Sequence, residues 1–479
     1  MHPTGAFFVL RGLMKSKKVC FYYIVIIILF VLAVFLRTKL YLANDIFSDD
    51  ECRLALSMLN SGSIFYLGYA QSAPPVFVLL SKMITGLFGF TEHAAKFIPF
   101  VSGLGSVFLF YKVCAKYLNS CAGIAAGLFI FALSQPLISF SVIFKQYSLD
   151  VLAALLCLYY LPQIKVSELS FKKFAALCCG ILLLPLISLP SLFFIAAFFA
   201  INSARNWKRV LVLSLPFAVL IGAYYFLSLA PSKADLYNYF PEYWNDGFWS
   251  FSLNEFLKLL VLNIRFYFLP NNLSLASIIL MFWGIYLFIR EKQYFVLLVF
   301  LFILLSSLLG LYPLSGRVGL YALPIFLLFI LKPLDIKNKT VILAGLFLIL
   351  SFCKYDWNYI KNLTNTDYLV SYSPKKLMLI MMDKYNPKKD IVLCNPASSP
   401  SYLFYSSKYG FETKDIYEMP VDFSKDYLDG LERGRGYWLY LIKDYNRAQV
   451  FPMIFEWLKG QNVKYSKRER NSYLIYVEK

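Results

Sequence analysis

The sequence predicts an α-helical polytopic membrane protein with a smaller α/β domain at its C-terminal end, on three observations. Hydrophobic residues are 59% of the chain and charged residues only 16%, against roughly 25% charged in soluble domains. Several apolar runs approach the ~20 residues that span a bilayer. After Lys354 the composition returns to that of a soluble protein over a length that suits one domain. A formal net charge of +19 would point to nucleic acid in a soluble chain, but here lysine and arginine gather at the ends of apolar runs, as in cytoplasmic loops. The membrane is the partner, and no nucleic acid is implied. Two histidines, His2 and His93, leave no material for Ser-His-Asp or Cys-His catalysis or a histidine metal site. The nine cysteines include no CxxC pair and mostly sit in apolar runs as small hydrophobes. Carboxylates must carry any acid–base chemistry.

In chain order, Arg11, Lys15, Lys17 and Lys18 precede the apolar run 19–36, which has no small-residue cleavage site. It reads as a retained anchor with a cytoplasmic N-terminus. The stretch 48–62 reads as a short helix with Ser48 as N-cap and Asp49, Asp50 and Glu51 in its first turn. The run 74–90 places Ser81, Lys82, Thr85 and Gly89 opposite Val76, Phe77, Leu80, Ile84, Leu87 and Phe88, as in a helix lying on the membrane surface. Keeping that run on the surface makes the basic clusters at Lys112/Lys116, Lys165/Lys172/Lys173, Arg205/Lys208/Arg209, Arg290/Lys292 and Lys332/Lys337/Lys339 all cytoplasmic.

Crossings then follow at 97–113, 119–138, 147–163, 174–188, 190–203, 209–229, 272–289, 294–311, 317–331 and 340–354, about eleven with the first. The short pair 174–188 and 190–203, turned by Pro190, fits two crossings or a re-entrant hairpin. The aromatic loop 231–272 contains a second surface helix at 254–268, with Lys258 and Arg265 on one face. An odd number of crossings puts residues 355–479 outside. There, helices at 375–385, 400–409 and 447–459 alternate with strands at 390–394, 437–442 and 473–477. The domain division is 1–354 and 355–479.

On this topology four charged clusters face outward: Asp49-Asp50-Glu51-Cys52-Arg53; Lys145 to Asp150 with Tyr147; Lys258 with Arg265; and Ser315 to Tyr321 around Arg317. Ordinary helix-end charges, interfacial anchors and snorkelling cations explain each of them singly. Together they describe a cavity with carboxylates on one side and cations on the other, suited to activating a hydroxyl and stabilising a phosphate leaving group. Asp49, Asp50 and Glu51 could also offer oxygens to Mg²⁺ or Mn²⁺, although consecutive helical residues point in different directions.

The ordered set Asp50-Glu51-x-Arg53-x-Ala55, Met58-Leu59-x-x-Gly62, Pro74-Pro75 heading a stretch that ends Leu87-Phe88-Gly89, Lys96 before Pro99, Lys145-x-Tyr147-x-Leu149 and Arg317-x-x-x-Tyr321-x-x-Pro324 resembles the GT-C glycosyltransferases of family 39. That family includes protein O-mannosyltransferases and the aminoarabinose transferase of lipid A. The resemblance covers roughly residues 19–335. It implies a GT-C fold and a sugar donor on a polyprenyl phosphate. The acceptor hydroxyl would belong to a lipid, glycan or protein at the outer face of a bacterial inner membrane. Asp50 is then the base and Glu51 its neighbour at the catalytic centre. Arg53, Lys82, Lys96, Lys145, Tyr147, Asp150, Lys258, Arg265, Arg317 and Tyr321 are the candidate substrate contacts. The departures concern the phosphate contacts: Ala73 stands where the aminoarabinose transferases carry lysine, and Lys96 and Lys145 replace arginines. A transporter or flippase of lipid-linked glycans would also place outward charges along a pathway, but should show paired internal repeats, and none is visible. A polysaccharide polymerase would not predict the terminal soluble domain.

Overall fold

The computed structural model describes residues 17–232, 247–267, 274–335, 374–411, 416–419, 425–443, 450–469 and 471–479. Helix α1 (Lys17–Ala43) is apolar on all sides. Ala33, Leu36 and Leu40 face the protein, while Ile27, Ile28 and Val31 are exposed, as lipid contact requires. Two short helices follow, α2 (Asp49–Asn60) and α3 (Pro75–Phe88), then the long α4 (Glu92–Tyr117), α5 (Cys121–Leu133), the six-residue α6 (Gln135–Phe140) and α7 (Tyr147–Tyr160). Helix α8 (Phe171–Ile187) turns at Ser188-Leu189-Pro190 into α9 (Ser191–Tyr224). The two helices expected at 190–203 and 209–229 are both present within α9 and meet at a kink at Asn206, whose φ of −157° and ψ of 75° are not helical. Beyond the break, Arg209 donates to the carbonyls of Val166 (2.8 Å) and Leu169 (3.0 Å). Helix α10 (Leu253–Tyr267), α11 (Ser274–Arg290), α12 (Tyr294–Leu308) and α13 (Leu323–Leu331) complete this part, with a 3₁₀ segment, Gly316–Ala322, leading into α13. Helices α11 and α13 approach so closely that a Cβ at Gly284 would overlap the Phe329 carbonyl, which is why glycine stands there.

Among the described residues, four segments are long and apolar enough to cross a membrane alone: Phe21–Ala43, Glu92–Tyr117, Asn206–Ser232 and Gly316–Asp335. Helices α5, α11, α12 and the first half of α9 are apolar but shorter. The crossing expected at 340–354, the domain boundary at 354 and most of the aromatic loop around Trp244 lie outside the described residues. Helices α4, α7 and α13 each begin near Asp50 and end at an opposite, basic pole. There Lys332 meets Glu291 (2.8 Å), Asp335 (3.0 Å) and the Tyr117 carbonyl (3.0 Å), and Lys116 meets the Tyr159 carbonyl (2.6 Å). If basic clusters stay cytoplasmic, a reporter fused after Lys116 is active only inside and one after Lys354 only outside. Reversed signals, outside after Lys116 and inside after Lys354, would mean that α3 crosses the membrane.

The faces of α3 are set by size as well as polarity. On α3, the small and polar Ser81 and Thr85 are buried against the protein, whereas Leu79, Met83, Leu87 and Phe88 are exposed. Thr85 satisfies its hydroxyl on the Ser81 carbonyl at 2.8 Å. Small side chains admit the close packing of α3 on its neighbours beside the buried Phe77 and Val78, and Leu79, Met83, Leu87 and Phe88 are left for lipid.

In the C-terminal part, α14 (Pro374–Lys384), β1 (Asp390–Cys394), α15 (Ser399–Tyr409), β2 (Ile416–Glu418), α16 (Lys425–Asp429), β3 (Gly436–Ile442), α17 (Val450–Leu458), β4 (Asn462–Glu469) and β5 (Ser472–Glu478) form one five-stranded sheet of order β2-β1-β3-β5-β4. Strand β1 runs parallel to β2 and β3; β5 is antiparallel to β3 and β4. The β period sends Ile391, Leu393 and Leu439 to a core with Ile454 and Trp457, and Val392, Cys394, Trp438 and Tyr440 to the other face. That second core is continuous with Phe47, Cys52, Ala55, Phe77 and Phe144, so the sheet domain is seated directly on α2. Polar links reinforce the seat: Lys375–Asp45 (2.9 Å), Lys408–Glu92 (2.6 Å) and the Phe47 amide on the Tyr405 hydroxyl (2.9 Å).

Candidate active site

Helix α2 begins where the sequence places it. Ser48 and Glu51 form a reciprocal capping box, the Ser48 amide donating to Glu51 Oε2 at 2.8 Å. This makes Glu51 part of the scaffold. Its other oxygen accepts from the Phe144 amide at 2.6 Å, and buried Lys96 lies 3.7 Å away. Glu51 thereby ties α2 to the loop that carries Lys145. The same loop is held by Asn44, which donates to the Val142 carbonyl at 3.0 Å. It also lies against α4 at Gly103, where a Cβ would overlap Ser141.

The three consecutive acids point to three different partners. Asp49 takes Arg53 (3.0 Å) and Glu51 takes Lys96 (3.7 Å). Asp50 takes two cations: Lys145 on Oδ1 and Arg317 on Oδ2, both at 2.9 Å. One positive charge is therefore in excess at Asp50. Gln71 completes the group, donating to Asp50 Oδ1 at 3.3 Å while its carbonyl oxygen accepts from Lys145. Arg317 also lies over the Tyr147 ring, 5.8 Å from its centre. Burial alone would push the Asp50 carboxyl up, but the Lys145 and Arg317 charges and the Lys145 and Gln71 hydrogen bonds outweigh it and hold the group well below the usual carboxylate range. The Asp50 side chain keeps 29% of its surface exposed and Arg317 37%, against 6% for Lys145.

Arg317 is delivered by a loop that is itself clamped. The Leu314 carbonyl accepts from Trp249 Nε1 (2.8 Å) and from Asn263 (2.9 Å), and Ser307 Oγ accepts from the Leu314 amide (3.3 Å). The contribution of α10 to the site is thus Asn263, which the sequence did not single out. Lys258, which it did, is exposed and pairs with Glu255 at 3.3 Å, because it lies on the outer face of α10. The side chain of Arg265 lies outside the described residues. Arg317→Ala should therefore reduce transfer far more than Lys258→Ala, a guanidinium on the site against a solvated ammonium. Equal, small effects in a transfer assay would return both to surface anchoring.

Other expected substrate contacts prove to have scaffold partners. Arg53 donates to the Pro396 carbonyl of the sheet domain at 2.8 Å. Lys82 caps the end of α2 on the Ser61 carbonyl at 2.8 Å. Lys96, fully buried, donates to the carbonyls of Asn44 (3.1 Å) and Ile46 (2.6 Å). Lys82 and Lys96 satisfy backbone oxygens that the turns around α2 leave unpaired, and Arg53 one in the sheet domain. Tyr321 is buried in an aromatic wall with Phe193 and Tyr312. Asp150 is buried one turn below Tyr147, its Oδ1 without a hydrogen-bond partner, as are the hydroxyls of Ser188 and Ser191. Because Asp49, Asp50 and Glu51 diverge, they form no common oxygen cage for a divalent ion. Among the described residues no group of three or more potential ligands does so.

Gln71 is the site residue that the sequence missed. It is presented by a turn in which Tyr69 and Ala70, neither of them glycine, have φ of 58° and 52°. The turn closes a bridge between Leu67 and Gln71. Such a conformation costs of order 1–3 kcal/mol per residue and persists where the surroundings impose it. Here Ser57 Oγ holds the Gly68 carbonyl at 2.6 Å.

No family model and no curated protein matches the chain. Among solved structures, ArnT from Cupriavidus metallidurans in the apo state aligns over 94% of this chain and 97% of its own, at 12% identity and a TM-score of 0.50. ArnT bound to undecaprenyl phosphate covers the same shares at 13% identity and a TM-score of 0.47. The Archaeoglobus fulgidus oligosaccharyltransferase in complex with Zn and sulfate covers 81% of this chain and 62% of its own, at 12% and 0.46. Over nearly its whole length, the chain has the GT-C fold found in ArnT.

Proposed function

We propose that the chain is a membrane glycosyltransferase that moves a sugar from a polyprenyl-phosphate donor to an acceptor hydroxyl on a glycolipid, polysaccharide or protein. The observation that carries this reading is the pairing at Asp50: one partly exposed carboxylate with two cations and a net positive charge, on a GT-C fold. The carboxylate is the proton acceptor and the excess charge suits a phosphate. In a single displacement the acceptor oxygen attacks the anomeric carbon and its proton passes to Asp50. The bond from that carbon to the phosphate oxygen breaks, and polyprenyl phosphate leaves with the electron pair, held by Arg317. One displacement inverts the anomeric configuration. The donor class rests on the sequence resemblance and on this charge. Tyr147 supports Arg317 from below, and Asp150, buried beside Ser188 beneath it, is offered as the partner for hydroxyls of the bound sugar. In this reading the N-terminus is cytoplasmic, and the site and sheet domain face the outer side of a bacterial inner membrane.

The test is mass spectrometry of lipids, glycans and outer proteins from cells with and without the chain, together with purified protein in vesicles that carry polyprenyl-phosphate sugars. Release of polyprenyl phosphate together with a sugar-bearing product is expected. Movement of the intact lipid-linked sugar across the bilayer, without cleavage, would replace the enzyme reading by that of a flippase.

A further inference from the structure

The two cations on Asp50 are not equivalent. Lys145 is nearly buried and held twice, by Asp50 Oδ1 and by the Gln71 carbonyl oxygen. Gln71 is itself 3% exposed, and its amide nitrogen is anchored on Asp50 Oδ1 and on the Ala70 carbonyl (3.1 Å). The turn that presents it holds Tyr69 and Ala70 in a left-handed conformation that residues with side chains rarely adopt. Arg317 meets the other oxygen, Oδ2, and keeps 37% of its side chain open to solvent. With both oxygens covered by cations, Asp50 in this state is a poor proton acceptor, whereas the reaction needs it uncovered.

We propose that Gln71 is a positioning residue that sorts these cations: it retains Lys145 on Asp50 and leaves Arg317 as the one that exchanges Asp50 for the donor phosphate, so that donor binding uncovers the base. This rests on the transfer reading above. A phosphate oxygen pair matches the guanidinium fork as well as a carboxylate does. Arg317 therefore changes partner without leaving the site, and Oδ2, which it releases, becomes available to take the acceptor proton.

Exchange has a consequence that a structural role would not produce: the base and the donor compete for Arg317. Removing the charge of Asp50 should tighten donor binding while abolishing transfer. The measurement is binding of tritiated undecaprenyl phosphate to the full-length protein in nanodiscs. Asp50→Asn is expected to bind about five-fold more tightly than the parent, the scale of one partly exposed ion pair, and Arg317→Ala added to it should remove that gain. If Asp50→Asn does not fold, Asp50→Ser makes the same comparison. Equal or weaker binding by the uncharged variant overturns the exchange. Failure of parent and variants alike to bind the lipid phosphate overturns the transfer reading itself.

The part of Gln71 is read separately from the pH dependence of kcat/KM. Gln71→Glu retains Lys145 but withdraws the amide donor from Asp50 and adds a like charge beside it. The acid limb should then move up by at least about one pH unit. An unmoved limb overturns the positioning role.

Discussion

Asp50→Asn loses sugar transfer by about 10² to 10⁴ while folding and inserting normally, the range expected when a positioned proton acceptor is removed. Folding should survive because the α2 cap is made by Ser48 and Glu51, with no contribution from the Asp50 side chain. Asparagine can still accept from Lys145 but cannot take a proton at the pH of the reaction. Asp49→Asn should be milder, since its carboxylate faces Arg53, which keeps the Pro396 carbonyl. The pH profile of the parent carries the same signature. Asp50 acts deprotonated, and the neighbouring cations hold its carboxyl below the usual range. The acid limb of kcat/KM should therefore fall below the pH at which ordinary carboxylates titrate. The limb of kcat, which reports the donor complex, should lie higher once Arg317 has turned to phosphate. Near-parental transfer by purified Asp50→Asn would make Asp50 an ion-pair residue and move the search for the base to Asp150.

The second large effect is on stability. Lys96→Met should cost about 3–5 kcal/mol, because it leaves the Glu51 carboxylate buried without its cation and strands the Asn44 and Ile46 carbonyls. Unfolding in detergent measures it. Adding Glu51→Gln should return part of the loss, since it removes the stranded charge, although its single amide oxygen can accept from only one of the Ser48 and Phe144 amides. Transfer should fall as well, because Glu51 fixes the loop that presents Lys145. A cost under ~1 kcal/mol would mean that this pair contributes no more than a surface ion pair.

Much of the fold is legible in the chain because a bilayer enforces it: apolar length, basic flanks and the Ser48 cap each have local causes. The sheet domain is legible where strands are apolar, at 390–394, 437–442 and 473–477. It is missed at β4, a charged edge strand containing Lys464, Lys467 and Arg468, where no second face is buried to impose alternation. The run 190–229 reads as two helices, as it is, but composition does not show that they join at the single non-helical residue Asn206.

Within the site, the sequence by itself determined which residue types are present and which could be the base: three adjacent acids in a first helical turn, with cations elsewhere on the same side. It could not distribute those cations, because an ion pair depends on where side chains hundreds of residues apart come to rest. Only the tertiary structure decided that Arg53, Lys82 and Lys96 hold backbone carbonyls. The same packing left Lys145 and Arg317 on Asp50 and brought Gln71 in through a strained turn that no local propensity predicts. Helix propensity and hydropathy act within a few residues along the chain, whereas the charge balance at Asp50 is set by four separate segments, carrying Asp50, Gln71, Lys145 and Arg317, whose meeting only packing can fix.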